Sequence, residues 1–266
     1  MGARQVDTGA AGLVAEVEDA VATLRIDRPE AKGALTAAMW AAIPGILAGL
    51  AADPEVRVLV LTGSDGVFSA GADIRELRDH YATAESADAF HALNAAAEQA
   101  LAAFPKPTIA FVRGPCVGGG CQLAVACDLR FADETARFGV TPAKLGIVYD
   151  AGSTVRLARL VGTSTAKYLL FSAKLMDSAR ALRVGLVADV FAPDEAAERV
   201  YGFARTVASR SQLTVRAAKD LLASDTLDPE RVRAWEQASR NSPDVREGLT
   251  AFTERRAPAF TWGTTR

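Results

Sequence analysis

Through residue 192 the chain alternates short apolar runs of strand character with segments of helical spacing; after Pro193 only helical spacing remains. This ordering narrows the fold more than any other feature, because alternation followed by an all-helical tail fits an α/β core with a helical C-terminal subdomain. "LVAEVEDAVATLRID" reads as two strands joined by a turn near Glu18 and Asp19. "VRVLVLTG" and "PTIAFVRG" are continuous apolar runs of the kind buried strands show, "CDLRFAD" is a third, and "GLVADVFA" is the last. Between them, "TAAMWAAIPGILAGLAAD" is helical, with a kink or split expected at Pro44 and Gly45. "SADAFHALNAAAEQALAAF" places Phe90, Leu93, Ala97 and Leu101 on one helical face. "STVRLARLVG" and "STAKYLLFSAK" are helices punctuated by Gly162. The tail predicts helices over 194–209, 212–223, 228–240 and 243–256, so residues 1–192 form the expected core and 193–266 the helical subdomain.

The 266 residues are 50% hydrophobic and 23% charged, enough for one large core or a core with an appendage. A net charge of -2 offers no basic field for nucleic acid, although Arg25, Arg28, Lys32 and Arg75 supply local cations for a small anionic ligand. Cys116, Cys121 and Cys127 are an odd number without the CxxC spacing, which argues against a disulfide framework or structural zinc. With His80 and His91 the only histidines, no metal is expected. No run approaches the roughly 18 apolar residues of a membrane span, and the start lacks a signal-peptide centre and a myristoylation pattern. The expectation is a soluble cytoplasmic protein.

Two segments share one design. "GPCVGGGCQLAVACD" (114–128) and "LTGSDGVFSAGADIREL" (61–77) each pass from an apolar strand through a turn of small residues into a helix start. The glycines space neither as GxGxxG nor before GK[ST], so a nucleotide cradle is a weak reading. Bare backbone N–H groups can instead hold an oxygen that gains negative charge in a reaction, and two such turns supply two donors. Tight turn packing is the alternative for either segment alone.

Taken with "DRPEAKGAL", "VFSAGADI", "FGVTPAKLGIVYDAGSTVRLARLVG" and "ERRAPAF", these segments make the chain resemble the crotonase, or enoyl-CoA hydratase/isomerase, superfamily over residues 12–261. The resemblance implies a spiral of β-β-α units, a helical tail that builds trimers or pairs of trimers, and an acyl-CoA thioester as substrate with no separate cofactor. It carries the oxyanion donors to Ala72 and Gly119, and CoA contacts to Lys32, Ala34, Ala70, Asp73, Ile74, Arg75 and Phe260. Gly33 stands where an Asn is common, and Gly263 where some relatives have Lys.

The departures bear on chemistry. Hydratases of the family use two glutamates; at the matching positions this chain has Gln122 and Pro142. A Gln amide is no general base near neutral pH, and Pro has no functional side chain. Asp150, twelve residues after Phe138, matches an Asp that moves protons in dienoyl-CoA and epoxyphenylacetyl-CoA isomerase-like members, and is a nucleophile in 4-chlorobenzoyl-CoA dehalogenase relatives. Its other reading is the N-cap of the helix that follows. Tyr149 matches a Tyr of methylmalonyl-CoA decarboxylase relatives, whose His is Ala72 here, or is a packed turn residue. His80 and His91 read as solvated or satisfied helix side chains, and "DIRELRDHYATAESAD" as a mobile flap over the acyl chain. The leading expectation is therefore double-bond isomerisation through Asp150. The alternatives are hydration by a non-standard acid/base set, substitution with Asp150 as nucleophile, and acyl-CoA binding without catalysis.

Overall fold

A computed structural model describes residues 2–224 and 226–263. Strands β1 (Arg4–Val6), β2 (Leu13–Glu18) and β3 (Val21–Ile26) form an antiparallel meander, with Asp19 and Ala20 taking the left-handed turn conformations between the last two. From β3 onward a unit repeats: a long strand, a short strand, then helix. The first continues into β4 (Ala34–Leu35) and helix α1 (Ala37–Ala52). The second is β5 (Val58–Gly63), β6 (Gly71–Ala72), α2 (Ile74–His80) and α3 (Ala84–Ala102). The third is β7 (Thr108–Val112), β8 (Pro115–Val117) and α4 (Gly119–Ala126), and the fourth β9 (Leu129–Asp133), β10 (Arg137–Gly139) and α5 (Ala151–Ser172). Strand β11 (Met176–Asp177), α6 (Ser178–Arg183) and β12 (Asp189–Phe191) close the series.

The long strands build one seven-stranded sheet in the order β1-β2-β3-β5-β7-β9-β12, parallel from β3 onward. The short strands pair in their own small sheets, β4 with β6 and β8 with β10 and β11; a Ser69–Cys116 bridge links their edges. This is the spiral of β-β-α units that the resemblance implies.

Strand periodicity explains both faces of the main sheet. Ala22, Leu24, Leu59, Leu61, Ala110 and Val112 enter the larger core beneath α1, α3, α4 and α5. Their neighbours Val21, Val58, Val60, Ile109 and Phe111 point the other way, onto Ala196, Val200, Ala204 and Ala208 of α7 (Ala196–Ala208). The all-helical tail thus begins with a helix that covers the back of the sheet, and continues as α8 (Gln212–Leu222), α9 (Pro229–Asn241) and α10 (Pro243–Glu254).

Two local expectations meet different outcomes. Gly162 breaks the helical dihedrals within α5, as its position in the sequence suggests. Pro44 does not split α1, which runs unbroken. The proline costs the Trp40 carbonyl one helical partner, while Met39, Trp40, Ile43, Ile46, Leu47 and Leu50 lock the helix into the core on both sides of it. No helix among the described residues is long and apolar enough to cross a membrane.

Candidate active site

A pocket opens where β6, the start of α4 and the loop before α5 meet. Its floor is backbone. Gly71, at φ 97°, would drive a Cβ to 2.8 Å from the Val117 carbonyl, and Gly119 would drive one to 2.7 Å from the Trp40 ring. Without those atoms the two chain segments close up, so that the Cβ position of Gly119 lies 3.6 Å from the Ala72 nitrogen. The neighbouring N–H groups are engaged: Gly71 donates to Ser69 Oγ at 3.1 Å, Asp73 to Leu35 O at 2.9 Å, and Gly118 to Gly139 O at 2.9 Å. Gly119 is the first residue of α4, where an N–H has no carbonyl within its own helix to meet.

The wall opposite is the 141–150 loop, which brings Pro142, Ile147, Tyr149 and Asp150 to the pocket. Asp150 is the N-cap of α5, as the capping reading expects: Oδ1 accepts from Ser153 N at 2.8 Å. It is also the only carboxylate among the described residues lining the pocket. Burial, together with the acidic side chains around it, Glu98 and Asp150 among them, pushes the Tyr149 phenol well above its usual value, so it keeps its proton near neutrality. Gln122 and Pro142 both line the pocket, so the two glutamate positions of the family's hydratases do face it, and neither carries an acid.

Helices α2 and α3 form another side of the pocket. The segment expected as a flap is the helix α2 and the start of α3, with Leu77, Tyr81 and Phe90 turned into the pocket. His91 is exposed and partnered, as its sequence reading expects, and it also lines the pocket, pairing with Tyr81 Oη at 2.7 Å. His80 stacks on Phe90 with ring centroids 4.5 Å apart.

The residues assigned to CoA stand in different settings. Ala70 and Ile74 line the pocket, and Lys32 and Ala34 lie directly behind, Lys32 O accepting from Ala70 N at 2.9 Å. Asp73 is an internal brace: it caps α2 through Arg75 N at 3.1 Å and pairs with Arg28 at 3.0 Å. That backbone N–H and then Arg28 hold its carboxyl below the usual value. Lys32 and Arg75 have exposed side chains, whereas Arg25 is occupied by Glu16. Phe260 packs on Gly248 of α10 and is not among the pocket-lining residues.

Sequence reasoning missed Glu98. It is 3% exposed on α3, and accepts from Gln122 Nε2 at 2.7 Å and from Ser153 and Arg156 of α5. The available signal was its place beside Asn94 on the apolar arc of Phe90, Ala97 and Leu101, where a charge must find a partner. The three cysteines are buried and free, and burial pushes the Cys127 thiol up to about 12. Among the described residues no three His, Cys, Asp or Glu side chains cluster as a metal site.

Residues 16–263 match the family model described as enoyl-CoA hydratase/isomerase. The chain is 37% identical over 255 residues to a crotonyl-CoA hydratase of Syntrophomonas wolfei, covering 93% of this chain and 97% of that one. It is 36% identical over 255 residues to a 2,3-dehydroadipyl-CoA hydratase of Escherichia coli, covering 93% and 98%. The solved structure of an enoyl-CoA hydratase/carnithine racemase from Magnetospirillum magneticum superposes with a TM-score of 0.91 at 30% identity, covering 97% of each chain. Sequence, spiral fold and backbone-floored pocket agree: the chain belongs to the enoyl-CoA hydratase/isomerase family, and is an enzyme of that type.

Proposed function

We propose that the enzyme moves a double bond within an acyl-CoA thioester by proton transfer through Asp150. The observation that carries this reading is the composition of the pocket wall: Asp150 is its one carboxylate among the described residues, while the hydratase glutamate positions hold Gln122 and Pro142. Asp150 Oδ2 removes a proton from a carbon of the unsaturated acyl chain. The electron pair shifts toward the thioester oxygen, and the N–H groups of Ala72 and Gly119 hold the resulting enolate. Returning the proton to a different carbon restores Asp150 and leaves the double bond displaced, with no water gained or lost. Removing one oxyanion donor typically costs about 2.7–4 kcal/mol of transition-state stabilisation. Coenzyme A enters as part of the substrate, and Tyr149 keeps its proton next to Asp150 in the sequence. The same reading expects a trimer or pair of trimers built on apolar residues exposed in the tail, Leu222, Leu249 and Phe252.

Hydration is the second reading, favoured by the hydratase names of the relatives and by the Tyr81–His91 pair in the same pocket. Incubation with 2-enoyl-, 3-enoyl- and 3,5-dienoyl-CoA separates the two. Isomerisation changes the ultraviolet absorbance at constant mass. Hydration adds the mass of water, and that product from every active thioester would overturn the isomerase reading.

A further inference from the structure

We infer that Glu98 is the positioning residue of this site, fixing which end of the Gln122 amide and which oxygen of Asp150 face the substrate. The inference rests on the reading of Asp150 as the proton carrier. Glu98 lies outside the pocket lining, on α3, yet receives donors from two other helices. Asp150, Ser153 and Arg156 follow one another at intervals of three along the first turns of α5, which puts all three on one face.

Donor and acceptor counting shows what the network does. An ionised carboxylate only accepts, so Gln122 must turn Nε2 toward Glu98, and its carbonyl Oε1 is the end left for the pocket. Ser153 Oγ reaches both Glu98 Oε2 and Asp150 Oδ1, the latter at 3.1 Å, and has one proton to give. Each of those oxygens has one other donor, Gln122 Nε2 for Glu98 Oε2 and Ser153 N for Asp150 Oδ1, and the two acids share the hydroxyl between them. Ser153 is thereby pinned between the two acids, and Asp150 Oδ1 is held against the helix end. Oδ2 has no protein partner among the described residues and is the oxygen free to meet the acyl chain. Arg156 balances the charge of Glu98 from the solvent side, with a side chain 34% exposed. Glu98 itself gains and loses no proton in this scheme.

The test uses Glu98→Gln and Ser153→Ala beside the full-length wild-type enzyme. A glutamine at 98 keeps the shape but lets the Gln122 amide turn over, and an alanine at 153 removes the hydroxyl that joins Glu98 to Asp150 while leaving the Gln122 contact in place. Misplacement of a reacting group by about 1 Å costs about 100-fold, so kcat for proton exchange should fall by about that much with KM within about threefold, beyond whatever stability Glu98→Gln loses with its Arg156 pair. Wild-type kcat in both variants overturns the inference; so does a loss of kcat matched by a loss of stability and a rise in KM, which is the mark of a merely structural role. Crystal structures of the variants judge the positioning without turnover. The inference expects the Gln122 amide or the Asp150 carboxylate to rotate, and unmoved side chains overturn it. Should the wild type exchange no proton on any thioester, the isomerase reading fails while the crystal structures still decide the role of Glu98.

Discussion

Gln122 donates its amide to Glu98 at 2.7 Å, so this enzyme keeps a carboxylate behind the pocket wall at the level where hydratases of its family present one in the wall. A glutamate at 122 would face the buried Glu98 acid to acid, in surroundings that screen like charges poorly. An amide at 122 thus suits an acid at 98, since it can donate to the carboxylate.

That relationship predicts the cost of restoring the family residue. Gln122→Glu exchanges a hydrogen bond to a charged group for a repulsion, and should destabilise the fold by about 1–3 kcal/mol. The loss should be smaller at acid pH, where either carboxyl can take up a proton. Thermal melts across pH check it; a variant as stable as the wild type near neutrality would mean that Glu98 does not hold the amide.

Gly119→Ala tests the backbone floor. Its Cβ would lie 2.7 Å from the Trp40 ring, a rigid neighbour buried in the core, so the start of α4 must move. Displacing one oxyanion donor costs about 10²–10³ in kcat, and the overpacking about 1–3 kcal/mol in stability. Steady-state kinetics and thermal melts read the two losses separately.

Lys106 gives a prediction away from the site. Its ammonium is buried beneath the carbonyls of Leu50, at 3.0 Å, and Asp53, at 2.6 Å, and burial followed by the charge of Arg216 pushes its pKa down to about 8. Between pH 8 and the unfolded value near 10.5, the unfolded chain holds a proton that the folded chain has released. This group's contribution to stability therefore rises with pH across that window, by at most about 1.4 kcal/mol per unit. Chemical denaturation of the wild type and Lys106→Met from pH 7 to 10.5 should show the wild type gaining on the variant; parallel curves would contradict the assignment.

Apart from the three-residue β1, the strands of the main sheet were legible because their apolar residues either alternate or run continuously, and the sheet uses both faces. The tail helices were legible for the matching reason of 3.6-residue spacing. The short strands β4, β6, β8, β10 and β11 span two or three residues each, too few to carry a period, and only the family resemblance pointed to them. Ala72, Gly119, Gln122, Tyr149 and Asp150 do converge on one pocket. Glu98 stayed hidden because its partners lie 24 to 58 residues away on other helices, where local spacing carries no information. The Tyr81–His91 pair escaped for a related reason, since it joins two helices across a turn. Asp73 and Arg28 each looked available to a ligand, and the fold spends them on one another.

The central claim is that Asp150 carries the proton. The most direct measurement is mass-spectrometric deuterium uptake into an unsaturated acyl-CoA in heavy water, wild type against Asp150→Asn. An Asn keeps an acceptor for Ser153 N, so α5 remains capped, while the base is lost. The account predicts uptake at carbon by the wild type and none above background by a folded Asp150→Asn. Undiminished uptake by the variant would place the proton on another residue and leave Asp150 as the cap of its helix.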